Sequence, residues 1–293
     1  MVEVPLSRKS GIPWQVKVAA KLVLSAIPLR YGMWRRLGLF RHGKMDRPKY
    51  GYEVFKCHFE RAGVSRRNTG FTQLELGPGD SLCSAMIGYA FGASATYLVD
   101  VGSYAQDDLG FYHSMAGFLS QEGLEAPDLS HARCLNDLLA VCGAQYLTQG
   151  LASLRTIPDQ SIHFIWSHAV LQSVRRSEFV DTLKELRRII RSDGVCSHQI
   201  DLRDFLGGNL NSLRFRKELW ESDFMIRSRF YTNRIRYSEM LRLFEQTGFD
   251  VHVSDASRWD TLPISRAKLS PEFRCLSDGE LCVSGFGVVL RPR

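Results

Sequence analysis

Two groups of residues in this sequence have types and spacings that could do chemistry. The first is "LELGPGDS", Leu74 to Ser81. Gly77, Pro78 and Gly79 make a turn poor in side chains, set between the carboxylates of Glu75 and Asp80. Glycines there let a ligand approach the main chain, and a helix starting after them attracts negative charge. The second group is Ser167–His168 with Asp201 and Asp204, an imidazole and two carboxylates able to take a proton.

The turn suits some ligands better than others. A dinucleotide fingerprint would place its third glycine at position 82, which is Leu. Asp80 also puts a carboxylate where a pyrophosphate would sit. A ligand carrying an ammonium and a sulfonium tolerates Glu75 and Asp80 far better, and S-adenosylmethionine is such a ligand. Asp100 lies 21 residues beyond Gly79, where a carboxylate can accept both ribose hydroxyls of an adenosine cofactor. That spacing alone suits NAD equally.

These residues need elements to hold them. From residue 71 short apolar strands alternate with helices. Strands are expected at 72–76, 95–101, 144–149, 161–167 and 195–202, with a helix at about 81–91 ended by Gly92. Phe179, Leu183, Leu186, Ile189 and Ile190 share one face of a helix expected to run through Gly194. Such alternation predicts an α/β fold, a mostly parallel sheet with helices on both faces, whose ligands bind at the carboxyl ends of the strands. The glycine turn, Asp100 and Ser167–His168 all fall there.

At this point the sequence resembles a family. "LELGPGD", "YLVDV", "LRTIPDQSIHFIWSHAVLQSV" and "LKELRRIIRSDGV" look like successive motifs of class I S-adenosylmethionine-dependent methyltransferases, of the methyltransferase type 11-like kind. The resemblance covers about residues 71–200 and resumes in "YSEMLRLFEQTGFDV". It implies a Rossmann-like sheet whose last two strands form an antiparallel hairpin at one edge, here "FDVHVSD" and "LCVSGFGVVLRP". It implies S-adenosyl-L-methionine as cofactor, with Glu75, Gly77, Pro78, Gly79 and Asp80 under its methionine part. Asp100, beside Val101, would hold the ribose, and Gly150 and Leu151 would lie against the adenine. Ser167 and His168 would line the transfer centre. This chain departs from the family in having His163 where Asp is common in strand four, and "LQS", Leu171–Ser173, where "LEH" is common. "SDG" also stands in place of "PGG" before strand five.

Methyl transfer to a hydroxyl needs alignment, exclusion of water and a base. His168, Asp201 and Asp204 are the base candidates. A long connection at about 201–236 is rich in polar and aromatic groups, and Arg203, Asn209, Tyr231, Asn233 and Arg234 are its candidates to orient an acceptor. A second insertion spans about 257–280. The expected domain, 71–293, thus carries two acceptor-side insertions, and the acceptor is read as a small molecule or saccharide.

Charge sets residues 1–70 apart. They hold 15 Lys/Arg and 4 Asp/Glu, a balance of +11 within a chain whose net charge is +7. Val16, Ala20, Val23, Leu24 and Ile27 recur at helical spacing, with Lys17 and Lys21 on another face. The segment reads as a basic helical N-terminal extension. It can dock on the main domain, meet a membrane surface through residues 1–45, or contact nucleic acid. An RNA methyltransferase using this arm, and a non-catalytic adaptor of the same fold, are the competing readings. Seven cysteines without C-x-x-C spacing predict reduced thiols, no zinc site and a cytoplasmic protein.

Overall fold

The computed structural model describes residues 45–64, 69–228 and 230–293. The basic helical stripe of Val16 to Ile27 lies outside these residues.

Among the described residues seven strands form one sheet. They are β1 (Phe71–Leu76), β2 (Ala93–Val99), β3 (Ala144–Leu147), β4 (Ile162–His168), β5 (Ile190–Asp201), β6 (Phe249–Arg258) and β7 (Val283–Pro292). Their order is β3-β2-β1-β4-β5-β7-β6. β1 pairs in parallel with β2 and β4, β2 with β3, and β4 with β5. β7 runs antiparallel to both β5 and β6. The order reverses between β1 and β4, which opens a crevice at their carboxyl ends.

Helices cover both faces. On one lie α1 (Pro48–Arg61), α2 (Cys83–Ala90), α3 (Leu109–Gln121) and α4 (Leu135–Val141). On the other lie α5 (Leu151–Thr156), α6 (Arg176–Ile189) and α7 (Tyr237–Gln246). α6 forms as its pattern requires: Phe179, Leu183, Leu186 and Ile189 are fully buried, Glu178 sits in the first turn, and Arg187 and Arg188 sit in the last. Its end differs from expectation. The helix stops at Ile189, and β5 starts at once, pairing Ile190 with Ile162. Extended backbone buries Ile190, while the carbonyls of Arg188 and Ile189 accept the N–H groups of Gln160 and Ser161. The polar "RSDG" is therefore a bulge early in the strand, before Val195 meets Phe164.

α1 lies on the N-terminal side of the expected boundary at 70/71, yet it belongs to the same core. Pro48 occupies its first turn, where a missing N–H costs nothing. Val54, Phe55 and Phe59 are buried, and the Phe55 ring meets Phe91 at 5.0 Å and Trp166 at 5.6 Å, edge to face.

The two insertions make their own small cores beyond the sheet. Leu206, Trp220, Met225, Phe230 and Tyr231 form one. Leu210 and Leu213 of the first insertion join Ile264, Leu269 and Phe273 of the second in another, so the two are packed together.

Candidate active site

The register of β1 fixes the geometry. Leu76 pairs with Val99 on β2, and Glu75 pairs with Trp166 on β4. Carried to the strand ends, these registers bring Gly77 level with Asp100 on one side and His168 on the other. Neighbouring strands lie about 4.8 Å apart, so the three stand side by side.

The glycine turn is closed by Asp100. Its Oδ2 accepts the Gly79 N–H at 2.9 Å and its Oδ1 the Val101 N–H at 2.7 Å. Gly77 and Gly79 have φ of +75° and +65°, a region open to glycine at little cost. Space matters as well: a Cβ on Gly77 would come within 2.5 Å of the Val170 side chain. The turn is thus a close approach of two chain segments, β1's end and the residues after β4. Gly150 donates to the Asp100 carbonyl at 2.8 Å and faces Val101, whose side chain stands 74% exposed. An apolar side chain left bare beside the Asp100 carboxylate offers a surface to a flat ring. Leu151, half-buried, opens α5 next to it.

Glu75 is 3% exposed and takes a hydrogen bond from the Ser84 hydroxyl. Burial pushes its carboxyl up to about 8, with the nearby Asp100 charge adding to the rise. A cation beside it would reverse that shift. Asp80 is also buried, and its carbonyl accepts the Gln106 N–H, which ties down the segment before α3.

At the end of β4 two histidines meet. Phe164 and Trp166 of β4 face the α1 core, and His168, next in the alternation, meets His58 of α1 at 3.3 Å between Nδ1 and Nε2. His58 Nδ1 in turn shares a hydrogen bond with Ser197 Oγ on β5 at 2.9 Å. The Nε2 of His168 is buried with no partner among the described residues. Burial, with Arg61 next in size, pushes His168 down to about 4, and it holds His58 well below its usual value. Arg61 itself bonds Gln199 at 3.1 Å and Asp255 at 2.9 Å. Ser167 points to the opposite face, where its Oγ shares a hydrogen bond with His198 Nδ1 at 2.8 Å. His58 had no readable signal beyond its place on the apolar stripe of α1.

The other predicted residues fall into two kinds. Asp201, paired with Gly285 at the end of β5, forms a two-point ion pair with Arg203, each contact 2.8 Å. Asp204 is buried in the insertion and accepts the N–H groups of Leu206, Asn209 and Ser212. Asn209 caps Leu210 through its Oδ1. Asn233 donates to the carbonyls of Leu171 and Val174. The Tyr231 hydroxyl links Arg176 and Glu221. Arg234, at φ +56°, lies over the rings of Trp220 and Phe273. These last residues tie the insertion to the ends of β4 and α6. No group of His, Cys, Asp and Glu among the described residues could hold a metal ion. Nor is any helix among them long and apolar enough to cross a membrane.

No family model and no curated protein matches the chain. Solved structures do. One is the Haemonchus contortus phosphoethanolamine N-methyltransferase 2 with phosphomonomethylethanolamine and S-adenosylhomocysteine, 12% identical with a TM-score of 0.45 over 81% of this chain. This chain spans about half of that protein, 52% of its length. A putative sarcosine dimethylglycine methyltransferase from Galdieria sulphuraria is 13% identical, TM-score 0.45, over 83% of this chain and 84% of that one. A putative methyltransferase bound to the Trm112 activator of Haloferax volcanii is 14% identical, TM-score 0.43, over 91% and 99%. Likeness at this level says nothing of substrate. The sheet order and its antiparallel β7 define the class: a Rossmann-like fold of the class I methyltransferase type.

Proposed function

We propose that the chain transfers a methyl group from S-adenosylmethionine to a hydroxyl of a small-molecule or saccharide acceptor, in the manner of the type 11 branch of its fold class. The observation that carries this reading is the row Asp100–Gly77–His168 across the mouths of β2, β1 and β4. It sets a ribose-type acid, a side-chain-free turn and a neutral imidazole side by side. Glu75, Gly77 and Gly79 would hold the methionine part, Asp100 the ribose, and Val101 with Gly150 and Leu151 the adenine. When bound, the cofactor supplies the methyl group and its own leaving group.

The chain's residues do the rest. His168 stays uncharged at neutral pH because burial disfavours its cation. Its unpartnered Nε2 can accept the acceptor's proton, while His58, held by Ser197, fixes the ring. The two insertions, packed on each other, would close over the acceptor.

Calorimetry with S-adenosylmethionine, S-adenosylhomocysteine and NAD tests the reading. Binding of the first two and not of NAD is expected. His168→Gln should leave donor binding within about twofold and lower turnover by about 10²-fold or more. NAD binding without either sulfur compound would end the proposal.

A further inference from the structure

A cavity of about 480 Å3 lies where the two insertions meet the first turns of α6 and α7. That is a usual size for a small-molecule site. Arg176, Lys217, Arg234 and Arg236 supply its cations, and Glu239, Glu272 and Glu280 its carboxylates. Every carboxylate is already engaged. Glu239 pairs with Arg176 at 2.5 Å and Glu272 with Arg234 at 3.3 Å. Glu280 accepts the N–H and hydroxyl of Ser238 at 2.9 and 2.5 Å.

The buried atoms left without a partner on these charged groups are donors. The Nε atoms of Arg234 and Arg236 are buried without a partner, and Lys217 has no ion pair among the described residues. Arg236 is held in place by the carbonyls of Leu202, Leu281 and Val283. Arg234 is held by the Phe215 carbonyl and by the Trp220 and Phe273 rings. Two fixed guanidiniums with unspent N–H groups beside an apolar wall of Phe273 and Leu276 suit an organic anion.

A narrow throat lies beside this cavity at the end of β5. It shares Arg234 and Arg236, and Asp201 and Gln172 line it. Its volume is about 10 Å3, room for one water-sized polar group. Gln172, 3% exposed, has no partner for either amide atom. A group that both donates and accepts would satisfy it, and a hydroxyl is the smallest such group.

We propose that cavity and throat bind an organic hydroxy acid, its carboxylate against Arg234, Arg236 and Lys217 and its hydroxyl against Gln172.

Cys275 lines the cavity and is exposed, while Cys134, also exposed, lies ahead of α4 and serves as an internal control. The test is the iodoacetamide labelling rate of both thiols in the full chain, without donor. Para-hydroxyphenylacetate near saturation should slow Cys275 about tenfold and leave Cys134 unchanged. Phenylacetate, lacking the hydroxyl, and para-hydroxyphenylacetamide, lacking the charge, should each need several-fold higher concentration. Lys217→Gln should weaken the two carboxylates and spare the amide. Gln172→Leu removes two unmatched polar atoms, so its melting temperature should hold or rise while the preference for the hydroxylated acid disappears. Equal protection by all three probes overturns the site, as does none at all, equal slowing of Cys134, or a surviving hydroxyl preference in Gln172→Leu.

Discussion

Glu75→Gln is the most direct probe of the turn. The carboxyl is buried and held up to about 8 against an ordinary value of 4.5. Below the ordinary value, folded and unfolded chains both keep the proton. Between the two values only the folded chain keeps it, so stability falls as pH rises through that window and levels off above about 8. The loss across the whole window is at most about 5 kcal/mol, a large share of a domain's stability. Glutamine keeps the shape and the Ser84 contact with no proton to lose. Urea unfolding should therefore find the variant within about 1 kcal/mol of the parent near pH 5, and several kcal/mol more stable near pH 9. A sulfonium and ammonium ligand would favour the charged carboxylate. Donor binding to the parent should then release a proton and tighten as pH rises toward about 8, and neither effect should survive in Glu75→Gln. Parallel stability curves for parent and variant across the window would refute the claim that this acid is folded in its neutral form.

Asp100→Ala should cost about 1–3 kcal/mol, because the Gly79 and Val101 N–H groups lose their acceptor, and should weaken S-adenosylhomocysteine more than about tenfold by calorimetry. Gly77→Ala should lose about 1–3 kcal/mol from its positive φ and its contact with Val170, measured by denaturation. Adding Val170→Ala should return the contact's share and not the backbone's. Arg236→Met strips donors from three buried carbonyls and should cost about 3–5 kcal/mol, against under about 1 for breaking the exposed Lys49–Glu53 pair. Equal losses from these two changes would mean that Arg236 is not buried as described.

What the sequence made legible was local. β1 and β4 announce themselves as apolar runs, α6 by its stripe, and the turn by its glycines, because each signal lies within one element. The end of α6 was not legible. Ile190 extends the helical stripe in sequence, and only the pairing with Ile162 across the sheet makes it a strand. His58 was hidden for a similar reason, since nothing local says that a stripe residue of α1 will touch His168, 110 residues away. Asp204 and Asn233 look like chemistry in a linear reading. In three dimensions their polar atoms are largely taken up by main chain of the insertion and of the segment after β4. Gly77 was read for a ligand's sake, and the Val170 contact shows that packing asks for glycine there as well.

β7 lies between β5 and β6, although it follows both along the chain. A ribosome therefore releases β6 before the strand that joins it to the rest of the sheet exists. Until β7 arrives, β5 and β6 each present a raw margin of unsatisfied amides to whatever is nearby. The nascent chain cannot finish its central layer until β7 has emerged. Chaperone demand and sensitivity to premature stop codons should concentrate in that interval.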